Sequence, residues 1–250
     1  MFQQIKINQI KLNSIMKKTI HRADSRGHAD HGWLNAHHSF SFANYYNPER
    51  IRFGTLRVLN DDIVQPGEGF GTHPHDNMEI VTIPLRGELA HKDSTGNKEV
   101  VKPNEVQIMS AGSGLTHSEF NNSKTEEINL LQIWVFPKEK NIKPRYDQKV
   151  FEPADRMNKI KTVVSPSDKD ALWINQDAYF SLSTLEKDQA VNYEIKTKGN
   201  GLYIFLIEGN IEIAGETLNR RDAIGLEQIE NVDIKANEKS EVLLIEVPMN

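Results

Sequence analysis

The chain has 250 residues, enough for one large domain or two small ones, and a formal net charge of −5. This charge argues against electrostatic capture of nucleic acid, and no apolar run is long enough for a membrane-spanning helix. The lysine-dotted start lacks the apolar core of a secretory signal, and cysteine is absent. We therefore expect a soluble cytoplasmic protein that contacts neither nucleic acid nor membrane.

Histidine is distributed unevenly along the chain. All nine histidines lie between His21 and His117, so any imidazole chemistry belongs to the first half. Both Met1 and Met16 are candidate initiators, and residues 1–15 are interpreted as an N-terminal extension. The irregular spacing of the early histidines favours packing and hydrogen bonding at a domain edge over metal binding. These early histidines are His21, His28, His31, His37 and His38.

Short alternating apolar stretches separated by turns predict β-strands between residues 51 and 133. Leu131, Ile133 and Val135 are predicted to share one strand face, with Trp134 on the other. Strands of this length and spacing are typical of a β-sandwich or a small barrel. Turns are predicted at residues 60–62, 65–67, 85–87, 94–97 and 102–104.

The second half of the chain repeats the first in weaker form. Residues 137–166, which contain four prolines, are predicted to form an ordered surface connector. Beyond them, residues 205–211 resemble 83–89, 220–223 resemble 103–106, and 243–246 resemble 130–133. We predict an all-β chain of two similar tandem barrels, with an N-terminal domain over residues 16–145 and a C-terminal domain over residues 146–250.

Two pairs of polar residues form a candidate metal site in the first half. His73 and His75 have the i, i+2 spacing that places both side chains on one face of a strand, and His117 and Glu119 repeat it. Glu79 is an alternative carboxylate, because an undistorted strand would also point it inward, about 13 Å further along. The repeat offers no such histidine, since Gln228-Ile229-Glu230 stands where His117 and Glu119 are expected.

These segments resemble known signatures. Gly67-x5-His73-x-His75-x3-Glu79-x7-Gly87 and Gly114-x2-His117-x3-Asn121 resemble the two motifs of the cupin superfamily. Further segments resemble the pirin family, and most closely its bacterial members described as quercetin 2,3-dioxygenases. They are residues 32–34, 40–46, 71–75, 107–112 and 117–119. The resemblance extends from about Met16 over nearly the whole chain.

The resemblance implies a bicupin of double-stranded β-helix type with one metal in the first barrel. It assigns His73, His75, His117 and Glu119 as ligands. Strand geometry and the resemblance together favour Glu119 over Glu79, which is interpreted as a hydrogen-bonding residue. Nitrogen and oxygen ligands suit Fe(II), our first expectation, as well as Mn(II), Co(II), Ni(II), Cu(II) and Zn(II).

The function implied is a metal-dependent dioxygenase that opens quercetin or a similar flavonol or enediol with O2. Glu119 would be both a ligand and the catalytic base. The alternative function is that of a pirin-type metal-loaded sensor or co-regulator that acts through a protein partner. A third interpretation is a storage or scaffold cupin, in which the metal only stabilises a barrel. The sequence leaves the oligomeric state open.

Overall fold

Alternating apolar residues form strands along the whole of the chain described here, which comprises residues 16–250 of a computed structural model. The predicted extension over residues 1–15 lies outside these residues. Residues 16–250 contain strands, two 3-10 turns at Ala23–Ser25 and Pro153–Arg156, and no α-helix. None of the helical segments in this range is long and apolar enough to cross a membrane. The all-β prediction is confirmed.

The strands are numbered in chain order. They are β1 (Lys17–His21), β2 (Gly27–Asp30), β3 (Leu34–His38), β4 (Leu56–Val64), β5 (Gly69–His75), β6 (Glu79–Arg86), β7 (Leu89–Asp93), β8 (Lys98–Val101), β9 (Glu105–Ser110), β10 (Leu115–Asn121), β11 (Ile128–Val135), β12 (Arg145–Val150), β13 (Lys161–Ser165), β14 (Leu172–Trp173), β15 (Tyr179–Leu185), β16 (Ala190–Glu194), β17 (Gly201–Glu208), β18 (Asn210–Ile213), β19 (Glu216–Asn219), β20 (Ala223–Glu227), β21 (Asn231–Ala236) and β22 (Ser240–Val247).

Each barrel combines a seven-stranded sheet with a four-stranded sheet. The sheets of the first barrel have the orders β12-β9-β6-β11-β4-β3-β2 and β5-β10-β7-β8. Those of the second have the orders β1-β20-β17-β22-β15-β13-β14 and β16-β21-β18-β19. The turns that lead from the large sheet to the small one, between β6 and β7 and between β17 and β18, contain Gly87 and Gly209, whose φ angles of 78° and 97° favour glycine. The two barrels are therefore structural repeats of each other.

One edge strand of each large sheet comes from the part of the chain that was predicted to form the other barrel. Strand β1 pairs with β20 of the second barrel, with His21 opposite Ala223. Strand β12 pairs with β9 of the first barrel, with Arg145 opposite Ser110. Residues 137–166 are thus more than the predicted surface connector, because they contain β12 and β13. The domain division between residues 145 and 146 remains a proposal. Two strands pair across it: β1, which precedes it, pairs with β20 of the second barrel, and β12, which lies almost wholly after it, pairs with β9 of the first.

One predicted turn is wrong, because residues 60–62 lie in the middle of β4 and are buried. Asn60 and Asp62 line a cavity inside the first barrel. Asp61 belongs to the opposite face, where its carboxylate lies 3.2 Å from Arg26 and 3.5 Å from Arg221 of the second barrel. Polar residues occur here because both faces of the strand meet polar partners, and not because the chain turns.

The main apolar core lies between the two large sheets. It contains side chains from both of them, so the sheets pack against each other. The predicted division of β11 is confirmed: one set of residues faces this core, whereas Trp134 lines the cavity of the first barrel. The core-facing set is Leu131, Ile133 and Val135.

The interiors of the two barrels differ. The second is filled by one apolar cluster that includes Ile204, Val232 and Ile234. The first holds two smaller, separate clusters, one containing Leu89 and the other Met109. Polar side chains line the cavity of the first barrel, and the candidate site lies there.

Candidate metal centre

Three of the predicted ligands meet at the neighbouring strands β5 and β10, where His73 lies opposite His117. The ring centroids of His73 and His117 are 4.4 Å apart, and those of His75 and His117 are 4.8 Å apart. One ring nitrogen from each of the three histidines lies within 4.8 Å of the others. We call His73, His75 and His117 the outer group. Its geometry fits three ligands of a single ion.

Glu119 belongs to an adjacent group. One of its carboxylate oxygens lies within 4.8 Å of ring nitrogens of His91 and His117, and we call these three residues the inner group. The bulge between β10 and β5 lies on β5, which has two residues between Phe70 and His73 where β10 has one between His117 and Glu119. Strand β10 itself is regular and stays in register with β7, so His117 and Glu119 share one face, and both line the same cavity. Its role as a fourth ligand stays a proposal.

Glu79 lies away from the cavity. Its buried carboxylate accepts hydrogen bonds from Ser110 Oγ at 2.8 Å and from the backbone N–H of Asn175 at 3.1 Å. The strand extrapolation that pointed Glu79 inward is wrong, because the chain turns at Asn77, with φ of 45°, and passes into the large sheet. The interpretation of Glu79 as a hydrogen-bonding residue agrees with these contacts.

The outer group presents unprotonated ring nitrogens. His73 Nδ1–H donates to the carbonyl oxygen of Gly71 at 2.8 Å, which leaves Nε2 as the acceptor. Both ring nitrogens of His117 are buried without a hydrogen-bond partner. Burial, with the neighbouring imidazoles, lowers the pKa of His117 to about 3 and that of His75 to about 4. Neutral imidazoles with free lone pairs fit a divalent cation.

A chain of side-chain hydrogen bonds orients Glu119. Gln132 Nε2 donates to Glu119 Oε2 at 2.9 Å, and Thr82 Oγ1 donates to Gln132 Oε1 at 3.0 Å. The other oxygen, Glu119 Oε1, is buried and has no partner. Burial raises the pKa of Glu119 to about 7, although its hydrogen bonds favour the charged form. The carboxylate is therefore fixed at one oxygen and free to take a cation or a proton at the other.

His91 on β7 was not identified from the sequence. Its buried ring lies 5.4 Å from that of His117, and its Nε2 lies 3.3 Å from Asp93 Oδ2. Burial favours the neutral form of Asp93, but hydrogen bonds from Asn97 and Thr95 outweigh it and lower the Asp93 pKa to about 2. The charged carboxylate therefore accepts the Nε2–H of His91. The i, i+2 pair His91 and Asp93 was the signal that could have revealed it.

A cavity of about 230 Å³ is lined by the three histidines of the outer group and by Glu119. The ring of Trp134 meets those of His75 and Phe42 edge to face, at centroid distances of 4.9 and 5.4 Å. Asp62 faces the cavity, and burial, with the charges of Asp61 and Glu119, raises its pKa to about 8. An apolar wall with a few polar groups is typical of small-molecule sites. The apolar lining consists of Phe42, Phe70, Ile80 and Trp134.

The early histidines have other partners. His21 Nδ1 lies 2.9 Å from Tyr203 Oη, and His38 Nδ1 lies 2.9 Å from Asn60 Oδ1. His28 stacks on His37 at a centroid distance of 4.6 Å. These contacts agree with the interpretation that the early histidines pack and hydrogen-bond. Within residues 16–250, the inner and outer groups alone have a geometry that fits a metal ion.

The second barrel has apolar residues at the equivalent positions. Asn121 lies opposite Leu89 as Ala236 lies opposite Ile211, so Val232 and Ile234 correspond to His117 and Glu119. The expectation of Gln228-Ile229-Glu230 at this place is wrong by four residues, because spacing along the chain does not account for unequal loops. The counterpart of residues 130–133 also shifts by one, since Leu131 and Leu243 occupy equivalent pairings.

Two repeated barrels of this topology define a bicupin, and the histidine cluster lies in the first of them. Residues 19–135 match the family model Pirin, and residues 162–247 match the quercetinase C-terminal cupin domain. The chain is 44% identical over 230 residues to the quercetin 2,3-dioxygenase of Escherichia coli K12, covering 92% of this chain and 98% of that protein. It is 40% identical over 225 residues to a pirin-like protein of Caulobacter vibrioides, covering 89% and 96%. The chain belongs to the pirin family.

Solved structures give the same result. The bacterial pirin YhhW of Escherichia coli, in complex with nickel(II), superimposes with a TM-score of 0.88 at 42% identity, covering 93% of this chain and 99% of that one. A quercetin 2,3-dioxygenase of Acinetobacter baumannii has a TM-score of 0.76 at 21% identity, covering 95% and 88%, and supports the fold alone. The predicted bicupin fold and pirin membership are confirmed.

Proposed function

We propose that this protein is a metal-dependent dioxygenase that opens quercetin, or a similar flavonol or enediol, with O2. The observation that carries the proposal is the convergence of His73, His75 and His117 beside an aromatic-walled cavity. The relative from Escherichia coli that bears the name of this activity supports the choice of substrate. The identity to that relative, 44%, is consistent with related chemistry on this scaffold.

The outer group would hold one divalent metal, with Glu119 as the fourth ligand. Fe(II) is our first choice, and nickel(II) in the Escherichia coli pirin supports a nitrogen-rich site that accepts several ions. A redox-active metal would supply Lewis acidity toward an enolic hydroxyl and a partner for electron transfer to O2. The neutral rings of His75 and His117 remain available as ligands at pH 7 because burial lowers the pKa of each.

The protein's own side chains would position the substrate and take up its proton. Phe42, Phe70 and Trp134 form a wall against which a flat aromatic ring packs, and this packing excludes water from the site. Glu119 would serve as ligand and base in turn: Oε1, its free carboxylate oxygen, would accept the proton of the flavonol hydroxyl when it is not holding the metal. Gln132 would keep the carboxylate oriented during that transfer, through its hydrogen bond to Oε2.

The test is oxygen uptake with quercetin after anaerobic loading with each candidate metal. We expect at least one metal form to consume O2, and His73→Ala and Glu119→Gln to lower that rate by a factor of about 100 or more. His31→Ala, which alters an exposed histidine outside both groups, is the matched control and should retain the rate. Uptake no faster than that of the variants, with every metal, would refute the proposed activity. Failure to bind any metal would refute the ligand assignment.

A further inference from the structure

The inner group is buried more deeply than the outer group. His91, His117 and Glu119 are 1%, 2% and 3% exposed, whereas His73 and His75 are half-buried. One potential ligand atom of each inner residue lies within 4.8 Å of the other two. The three residues come from β7 and β10, which pair directly, with Glu119 opposite His91. The position is therefore set by the register of two strands.

Several polar atoms of the inner group have no hydrogen-bond partner. They are His91 Nδ1, Glu119 Oε1 and both ring nitrogens of His117. Leaving such atoms buried and unpaired is costly, and protein interiors seldom contain several together without a ligand. An ion at the outer position would use one nitrogen of His117 and, with Glu119 as a ligand, Glu119 Oε1, which still leaves His91 Nδ1 and the second nitrogen of His117 without a partner.

The other polar atom of His91 and of Glu119 is held in place. His91 Nε2–H points to the charged Asp93, and Glu119 Oε2 accepts the hydrogen bond from Gln132. An imidazole whose far N–H is bound by a carboxylate is the usual arrangement of a metal-binding histidine. Asp93 is itself fixed by Thr95 Oγ1 at 2.7 Å and Asn97 Nδ2 at 2.8 Å. His91 Nδ1 and Glu119 Oε1 are thus the atoms that remain for a ligand.

We propose that His91, His117 and Glu119 form a second, inner position for a divalent transition-metal ion. Two imidazoles and one carboxylate suit Zn(II), Co(II), Ni(II) or Fe(II) better than Mg(II) or Ca(II). The inner and outer positions are alternatives for one ion, because both use His117 and, with Glu119 as the fourth ligand of the outer position, both use Glu119. Holding two ions at once would require a doubly deprotonated bridging ring and would bury excess positive charge.

Cobalt(II) titration of the variant His73→Ala/His75→Ala tests the inner position, because this variant retains one histidine of the outer group. We expect one Co(II) per chain by calorimetry, with the visible absorption of a nitrogen-ligated ion. Adding His91→Phe, which keeps a ring against Tyr146, should weaken Co(II) binding at least 100-fold. Adding His31→Ala instead should leave the affinity unchanged, and Asp93→Asn should weaken it 10-fold to 100-fold.

A second measurement needs no substitution at His91. In the Zn(II)-loaded double variant, the ¹⁵N resonance of His91 Nδ1 should shift to the range of a metal-bound nitrogen. The inner position is refuted if the folded double variant binds no Co(II), if the His91 substitution leaves affinity unchanged, or if that resonance does not move. These measurements follow metal binding alone, so failure of the dioxygenase proposal would not affect their outcome.

Discussion

Gln132 and Trp134 lie on the same face of β11 and serve the site in different ways. Gln132 orients Glu119 through a hydrogen bond, whereas Trp134 places its ring beside His75. Because they are two positions apart on one strand, both side chains face the cavity, where Gln132 supplies a polar contact and Trp134 an apolar wall. Phe42 extends that wall by packing edge to face against Trp134.

Replacing Phe42 with alanine should weaken substrate binding without affecting the metal. An aromatic contact of this kind contributes about 0.5–1.5 kcal/mol, so we expect KM for the flavonol to rise by a factor of about 2 to 13. Metal content by mass spectrometry should remain that of the unaltered protein. Phe120→Ala, at an exposed ring on β10, is the control. Loss of metal in Phe42→Ala would show that Phe42 supports the ligands instead.

His21 makes folding stability depend on pH. Burial, and then the charge of Arg50, lowers its pKa to about 4, whereas in the unfolded chain it is near 6.5. Below pH 6.5 the unfolded state therefore binds the proton and the folded state does not. Stability falls as pH drops from 6.5 toward 4, by about 2 kcal/mol at pH 5 from this residue. Urea unfolding of the metal-free protein at pH 7 and pH 5 should show His21→Gln losing less stability than the unaltered chain. An equal loss in both proteins would contradict this assignment.

At the scale of elements, β1 completes the edge of the second barrel's large sheet. Ile20 lies opposite Ile224 and packs against the interior cluster of that barrel. Because Ile20 is half-buried, Ile20→Ala should lower the free energy of unfolding by about 1–2 kcal/mol, measured from urea midpoints. Thr19→Ala, at the exposed neighbour opposite Gly225, should change it by less than about 0.5 kcal/mol. Equal effects would mean that β1 contributes little to the second barrel.

The sequence predicted best what depends on local spacing. His73 and His75 share a strand face because they are two positions apart, and the turns at Gly87 and Gly209 follow from similar local sequences. Features that depend on pairing between distant strands were missed. His91 becomes part of the candidate site because it lies opposite Glu119 on a neighbouring strand. Asp62 resembled part of a turn because the strands that pair with it, β3 and β11, lie elsewhere in the chain.

The bulge between β5 and β10 marks the same limit within the site. The extra residue lies on β5, between Phe70 and His73, whereas β10 is regular, so the i, i+2 spacing correctly predicted that His117 and Glu119 share a face. The bulge itself could not be predicted, because it is defined by the pairing of two strands that are distant in sequence.

At the scale of the whole molecule, the core between the two large sheets links the barrels. Phe180 is fully buried in that core, so Phe180→Ala should cost about 3–5 kcal/mol. Calorimetry should show a single unfolding transition that moves to lower temperature as a unit. Zn(II), which we expect to bind the first barrel, should raise that entire transition. Two separate transitions, of which Zn(II) moves one, would contradict cooperative unfolding.

The pairing of β1 with β20 bears on how the protein is synthesised and how its gene can be divided. The first described strand leaves the ribosome roughly two hundred residues before its partner is made, so it waits unpaired while the first barrel forms. A gene cut between the barrels would give a first fragment carrying a strand without its sheet. The second fragment would carry β20 with an open edge, which is prone to aggregation. Joining β1 to the second fragment through a linker after Asn250 would restore that edge. The strands of the second barrel are not contiguous in the sequence, so a fragment that contains all of them requires a rearranged gene.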